Sequence, residues 1–201
     1  MNQARGNKTD RRAELLKVAR EIFAEKGFEA TTISEIVARA GVAQGTFYWY
    51  FSSKAALVST LAKEMQEQIE QALYKAYAEA NHLSEMIDSS VAAAFHIMGQ
   101  YRDILAIFHS DSRWIGDPAN REQIFSPYYG LIAELLRQEQ ARAAVSIPIN
   151  PDITAILIVG TVYYAADDCY VFNSPITPDM YIAETAQFIR RALGITSSDP
   201  Q

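Results

Sequence analysis

The sequence predicts an all-α protein of about nine helices, with three short N-terminal helices joined by tight turns and longer helices after them. Three observations lead there. Apolar residues recur at three- and four-residue spacing along nearly the whole chain. No segment sustains the alternation of a strand. The breaks fall at helix punctuation: Gly27 and Gly41 early, then Pro118, Pro148, Pro151, Pro175 and Pro178.

The first helix places Leu15, Val18, Ala19, Ile22 and Phe23 on one face, and Gly27 supplies its stop. Thr32-Ile33-Ser34-Glu35 is a capping-box pattern that opens a second helix, Thr32 to Ala40, with Ile36 and Val37 inward. A turn, Gly41-Val42-Ala43, leads into a third helix from Gln44 to Phe51. Ser52 and Ser53 can cap a fourth, Lys54 to Ala80, whose stripe is Leu57, Leu61, Met65, Ile69 and Leu73. Further helices are expected near 84–99, 101–110, 118–143, 151–173 and 178–193, with frayed tails at 1–8 and 195–201. Three short helices with tight turns make a helix-turn-helix, so the predicted division is a head at 1–54 and a helical body at 55–201.

A chain of 201 residues is long enough for one or two domains with a sizeable core. No apolar run approaches the length that spans a bilayer, and MNQARGNKTDRRAELL lacks the apolar centre of a secretory signal. The single cysteine, Cys169, cannot form an internal disulfide, so a reducing cytoplasmic setting is expected. The net charge of −6 is unevenly spread: residues 1–54 hold nine Lys or Arg against six acids, and the rest holds nine against eighteen. A basic head on an acidic body is the asymmetry expected when the head alone meets a polyanion.

The unbroken aromatic run Phe47-Tyr48-Trp49-Tyr50-Phe51 fills the third helix. At about 100° per residue, Phe47 and Phe51 lie about 40° apart and share a core face. Tyr48 and Trp49 point away from it with Gly45 and Thr46, and Tyr50 sits on the flank. An uncovered Tyr-Trp pair is costly in plain solvent but suits DNA: phenol and indole donate to phosphate, and their rings cover sugars or thymine methyls. Gly45 lets a backbone approach closely, and Lys54 adds a cation where a helix N-terminus already favours phosphate.

TTISEIVARAGVAQGTFYWYFSSKAAL, residues 31–57, resembles the DNA-binding signature of the TetR (TetR/AcrR) transcriptional regulators. The likeness spans about 10–57 and rests on Thr32, Ile36, Gly41-Val42, Gly45-Thr46, Tyr48, Phe51 and Lys54; beyond it the chain matches only as an all-helical body. The resemblance implies phosphate contacts for Thr32, Thr46, Tyr48, Tyr50 and Lys54. It implies base readout by Gln44, with Ser34, Gly45 and Trp49 near bases. Ala55 stands where the family often has Glu, and Ala43 where it often has Ser. The resemblance also implies a double-stranded operator, a small-molecule effector bound in the body, and a homodimer through the helices near 151–173 and 178–193. Gly160 and Thr161 would allow close helix approach there. Repression is the family's usual mode.

Reactive groups do not converge in the sequence. His82, His96 and His109 lack metal-ligand spacing, and the adjacent Asp167 and Asp168 point about 100° apart on a helix. No catalytic set, metal site or cofactor is therefore expected. The body's aromatics suit either a core or a small-molecule cavity, and the candidate lining is Phe95, His96, Phe108, Trp114, Phe125, Tyr128, Tyr163 and Asp167. An aspartate facing that cavity (Asp167 or Asp168) would favour a cationic lipophilic ligand, and its absence a neutral hydrophobic one. The alternative to a ligand-responsive dimeric DNA-binding regulator is a helical enzyme or carrier of hydrophobic molecules whose head docks elsewhere.

Overall fold

The computed structural model describes residues 3–110, 114, 118–142, 145, 148–172 and 174–195. Nine helices and no strand occur among these residues: α1 (Gln3–Lys26), α2 (Ile33–Arg39), α3 (Gln44–Tyr50), α4 (Lys54–Glu79), α5 (Leu83–Gln100), α6 (Arg102–Ser110), α7 (Pro118–Ala141), α8 (Pro151–Tyr170) and α9 (Pro178–Ala192). The expected tail at 1–8 is corrected in part, because residues 3–8 are helical. Of the tail expected at 195–201, residues 196–201 lie outside the described residues. The chain divides into two compact units, Met1–Glu64 and Met65–Gln201.

The first unit is a three-helix head closed by the opening turns of α4. Leu15, Ala19, Ile22, Ile36, Phe47, Leu57 and Val58 are almost wholly buried, and Phe23 and Phe51 are nearly so. Thr32 caps α2, and the reciprocal bonds of a capping box are both present: Thr32 Oγ accepts from the Glu35 amide, and the Glu35 carboxylate accepts from the Thr32 amide at 2.8 Å. Gly41 turns the chain between α2 and α3 at φ 65°, a conformation that a side chain with a Cβ resists. Ser53 Oγ accepts the Ala56 amide at 3.0 Å and so caps α4. Two charged clamps brace α1. Arg39 reaches Glu25 with both guanidinium nitrogens, at 2.6 and 2.8 Å, and Arg12 meets Glu64 at 3.0 Å.

In the second unit α8 is the central element, with α5, α6, α7 and α9 all packed against it. Val91, Phe95, Met98, Ile104, Leu105, Phe108, Leu136, Ala155, Ala166, Ile189 and Leu193 fill the core. Asn150 caps α8 by accepting the Ile153 amide, and Pro151 occupies its first turn. A Cβ on Gly99 would come within 2.9 Å of the Tyr170 ring, so a side chain there would force that ring to shift at the α5–α8 contact. No helix among the described residues is long and apolar enough to cross a membrane.

Candidate nucleic-acid interface and effector site

Helix geometry divides the aromatic run of α3 as its periodicity predicts. Phe47 and Phe51 are buried with their rings tilted against each other at 5.6 Å, whereas Tyr48 is 52% and Trp49 63% exposed. Tyr50 is half-buried between them, 5.3 Å from the Trp49 ring. Gln44 and Gly45 open α3 and are exposed; Thr46 is half-buried. Thr32 and Ser34 lie exposed in the first turn of α2. Ala43 stands at the N-cap of α3 with no side-chain cap, so the first amides of that helix have no side-chain acceptor there.

The charges around α2 are held in place. Lys26 and the Thr32 side chain both donate to Glu35 and hold its carboxyl down to about 2; the Lys26 contact is the larger cause. Lys54 has a role that its sequence position does not reveal. Its ammonium donates to the carbonyls of Phe28 and Thr31, the latter at 2.6 Å, and lies 4.2 Å from the Phe28 ring. The first residue of α4 therefore fastens the α1–α2 loop.

In the body the candidate lining residues are only partly gathered. Phe125 meets Tyr163 edge-on at 5.2 Å and Tyr129 in a stack at 6.4 Å. Phe108 pairs with Trp114 at 5.6 Å, and Phe95 packs toward Tyr170 at 6.3 Å. Tyr128 is buried, and burial, reinforced by the charge of Glu70, pushes its phenol up. His96 is a correction: it lies on the exposed side of α5, because that helix turns its apolar stripe of Val91, Ala94, Phe95 and Met98 inward.

Asp167 is the polar centre of this region. It is 5% exposed, its Oδ2 lies 3.1 Å from His109 Nδ1, and its Oδ1 has no hydrogen-bond partner among the described residues. Burial pushes its carboxyl up, His109 opposes that, and the charge of Asp168 adds to it. Burial likewise raises the Tyr163 phenol, with Asp167 the next cause. Asp168 itself is exposed and accepts the Tyr181 hydroxyl.

The match to "Bacterial regulatory proteins, tetR family" covers residues 15–61, and that to "Tetracyclin repressor-like, C-terminal domain" covers 83–193. The chain belongs to the TetR family. It is a transcriptional regulator with a helix-turn-helix DNA-binding head. YvdT, an HTH-type transcriptional regulator of Bacillus subtilis (strain 168), is 32% identical over 90% of this chain and 94% of its own. The fold is shared with the fatty acid degradation regulator FadR of Bacillus halodurans (TM-score 0.76, 19% identity, 89% of this chain and 93% of that one). It is shared too with Bacillus subtilis FadR in complex with stearoyl-CoA (TM-score 0.74, 18% identity, 88% and 96%).

Sequence reading missed two contributors to these regions of the TetR-family chain. His109 stands out in the sequence only as a histidine without metal-ligand spacing, yet it is exposed and bonded to Asp167, 58 positions away. Arg39 counts in the sequence only as one of the head's nine basic residues, yet it bridges α2 to α1. Neither has a local signal, because each partner lies on another helix.

Proposed function

We propose that this protein is a dimeric repressor that leaves its operator when a small lipophilic molecule binds the body. Residues 1–54 bind DNA in this reading, and residues 55–201 hold the effector and the second copy. One observation carries the head's role. The fold has the means to bury aromatics at Phe47 and Phe51, yet it leaves Tyr48 and Trp49 uncovered beside the exposed Gln44 and Gly45. Thr32, Thr46, Tyr48, Tyr50 and Lys54 meet phosphates; Gln44 reads a base edge, with Ser34, Gly45 and Trp49 close to bases.

The body supports pairing. Ile153, Ile156, Leu157 and Tyr164 form an exposed stripe along α8, and Met180 and Phe188 are exposed on α9. A Cβ on Gly160 would meet nothing within 4 Å, so that glycine leaves room on the open side of α8. Burial within one chain does not account for these side chains, and a second copy laid along α8 and α9 covers them. Helix α4 contains residues of both compact units, and we assign it the coupling of effector to head. The FadR neighbour of Bacillus subtilis is in complex with stearoyl-CoA, which supports a lipophilic ligand for a body of this fold.

The test is selection of bound fragments from the source genome, followed by titration of the selected duplex at several salt concentrations. A defined half-site repeat and a steep salt dependence are expected. Binding with neither sequence preference nor salt dependence overturns the reading.

A further inference from the structure

Resting on the effector reading above, we propose that the effector is a lipophilic amine whose ammonium bonds Asp167 Oδ1 while its apolar part lies among the aromatic rings beside it. Two observations meet here. The first is an unsatisfied acceptor: Asp167 is almost wholly buried and Oδ1 has no partner among the described residues, although a buried polar atom is ordinarily paired. The second is its setting. Tyr163 lies one turn earlier on α8 and carries the Phe125 ring at 5.2 Å, with Tyr129 stacked on Phe125. On the other side His109 takes Oδ2 and holds its own ring edge-on to Phe172 at 4.6 Å.

The charge argument selects among donors. A hydroxyl on the ligand satisfies Oδ1 but leaves a buried carboxylate uncompensated. An anionic group adds a like charge to Asp167 and its neighbour Asp168. An ammonium satisfies the oxygen, balances the charge and is attracted by ring faces. His109 is the one basic group bonded to Asp167 among the described residues, and it faces the other oxygen. The raised carboxyl is consistent with a site whose charge lacks full compensation.

Calorimetric titration of the full chain with phenylbutylamine, phenylbutanol and phenylbutyrate tests this. The amine is expected to bind about ten- to hundredfold tighter than the alcohol, with the carboxylate weakest. In Asp167→Asn the amine's advantage over the alcohol is expected to shrink to within about threefold. A thermal melt reports whether the variant is folded; if it is not, the wild-type ranking decides alone. Equal binding of the three probes, no binding of the amine, or an amine advantage retained in folded Asp167→Asn overturns the proposal. Salt-dependent duplex binding, followed in the same preparations, separates that failure from failure of the regulator reading: its persistence removes only the ligand class.

Discussion

The head and the body each leave large side chains uncovered, and the two surfaces differ in chemistry. On the head these are Tyr48 and Trp49, rings with a hydroxyl and an indole N–H, set among Gln44, Gly45, Thr32 and Ser34. On the body they are mostly hydrocarbon: Ile153, Ile156, Leu157, Met180 and Phe188, with Tyr164 at one end. The first surface can bond phosphates and base edges while covering sugars; the second gains from the removal of water. Exposure alone does not separate them, since Trp49 and Leu157 are equally exposed at 63%. Polar atoms within the exposed set do.

The largest effect is expected from Leu157→Asp. Leu157 is exposed in the single chain, so the fold tolerates the change, but a charge buried unpaired between two copies costs several kcal/mol. Sedimentation is expected to show monomers, and affinity for a two-half-site duplex to fall more than about hundredfold. A dimer with intact affinity would remove the α8 stripe from the interface. Lys54→Ala comes next. It loses the bonds to the Phe28 and Thr31 carbonyls, so thermal melting should report a loss of about 1–3 kcal/mol. If Lys54 also meets phosphate, the salt slope drops by about one unit, a readout that a purely structural lysine leaves unchanged.

Gln44→Ala should relax preference at one base pair per half-site by about 1–3 kcal/mol, read as a changed selected consensus. An unchanged consensus rules out Gln44 as a reader. Gly45→Ala sharpens the contrast between fold and interface. The Cβ meets nothing within 4 Å and φ is not positive, so the fold does not require glycine there. The variant should melt higher, by about 1 kcal/mol, yet bind duplex more weakly. Unchanged binding would show that no backbone approaches closely at that position.

The smallest effect concerns pH. The Glu35 carboxyl is held down to about 2 in the fold from an ordinary 4.5, so its contribution to stability is present above 4.5 and is lost as pH falls toward 2. Acid titration of the melting temperature should show that loss in the wild type and a flatter profile in Glu35→Gln. Identical profiles would mean that the Lys26 and Thr32 contacts do not persist in solution.

Helix boundaries were legible because their causes are local. The Thr32–Glu35 capping box, the stop at Gly27 and the turn at Gly41 each act within a few residues, and the expected ends of α2 through α9 fall within about three positions of those observed. The inward set of the head was legible for the same reason: 3.6-residue periodicity places Phe47 and Phe51 together whatever surrounds them. The body was legible only as helices. Its aromatics read equally well as core or cavity, and the chain alone could not place His96 outside or join His109 to Asp167.

Amino-acid order by itself therefore determined the all-α class, the limits of α2 through α9, and which aromatics of α3 turn outward. Tertiary structure alone decided that Lys54 clamps carbonyls 23 and 26 positions earlier, that Asp167 is buried with one oxygen unpaired, and that the apolar stripe of α8 remains uncovered. The reason is the range of the forces involved. Caps and periodicity act through the backbone within a turn or two, whereas burial and charge pairing depend on which other helix arrives at the same place.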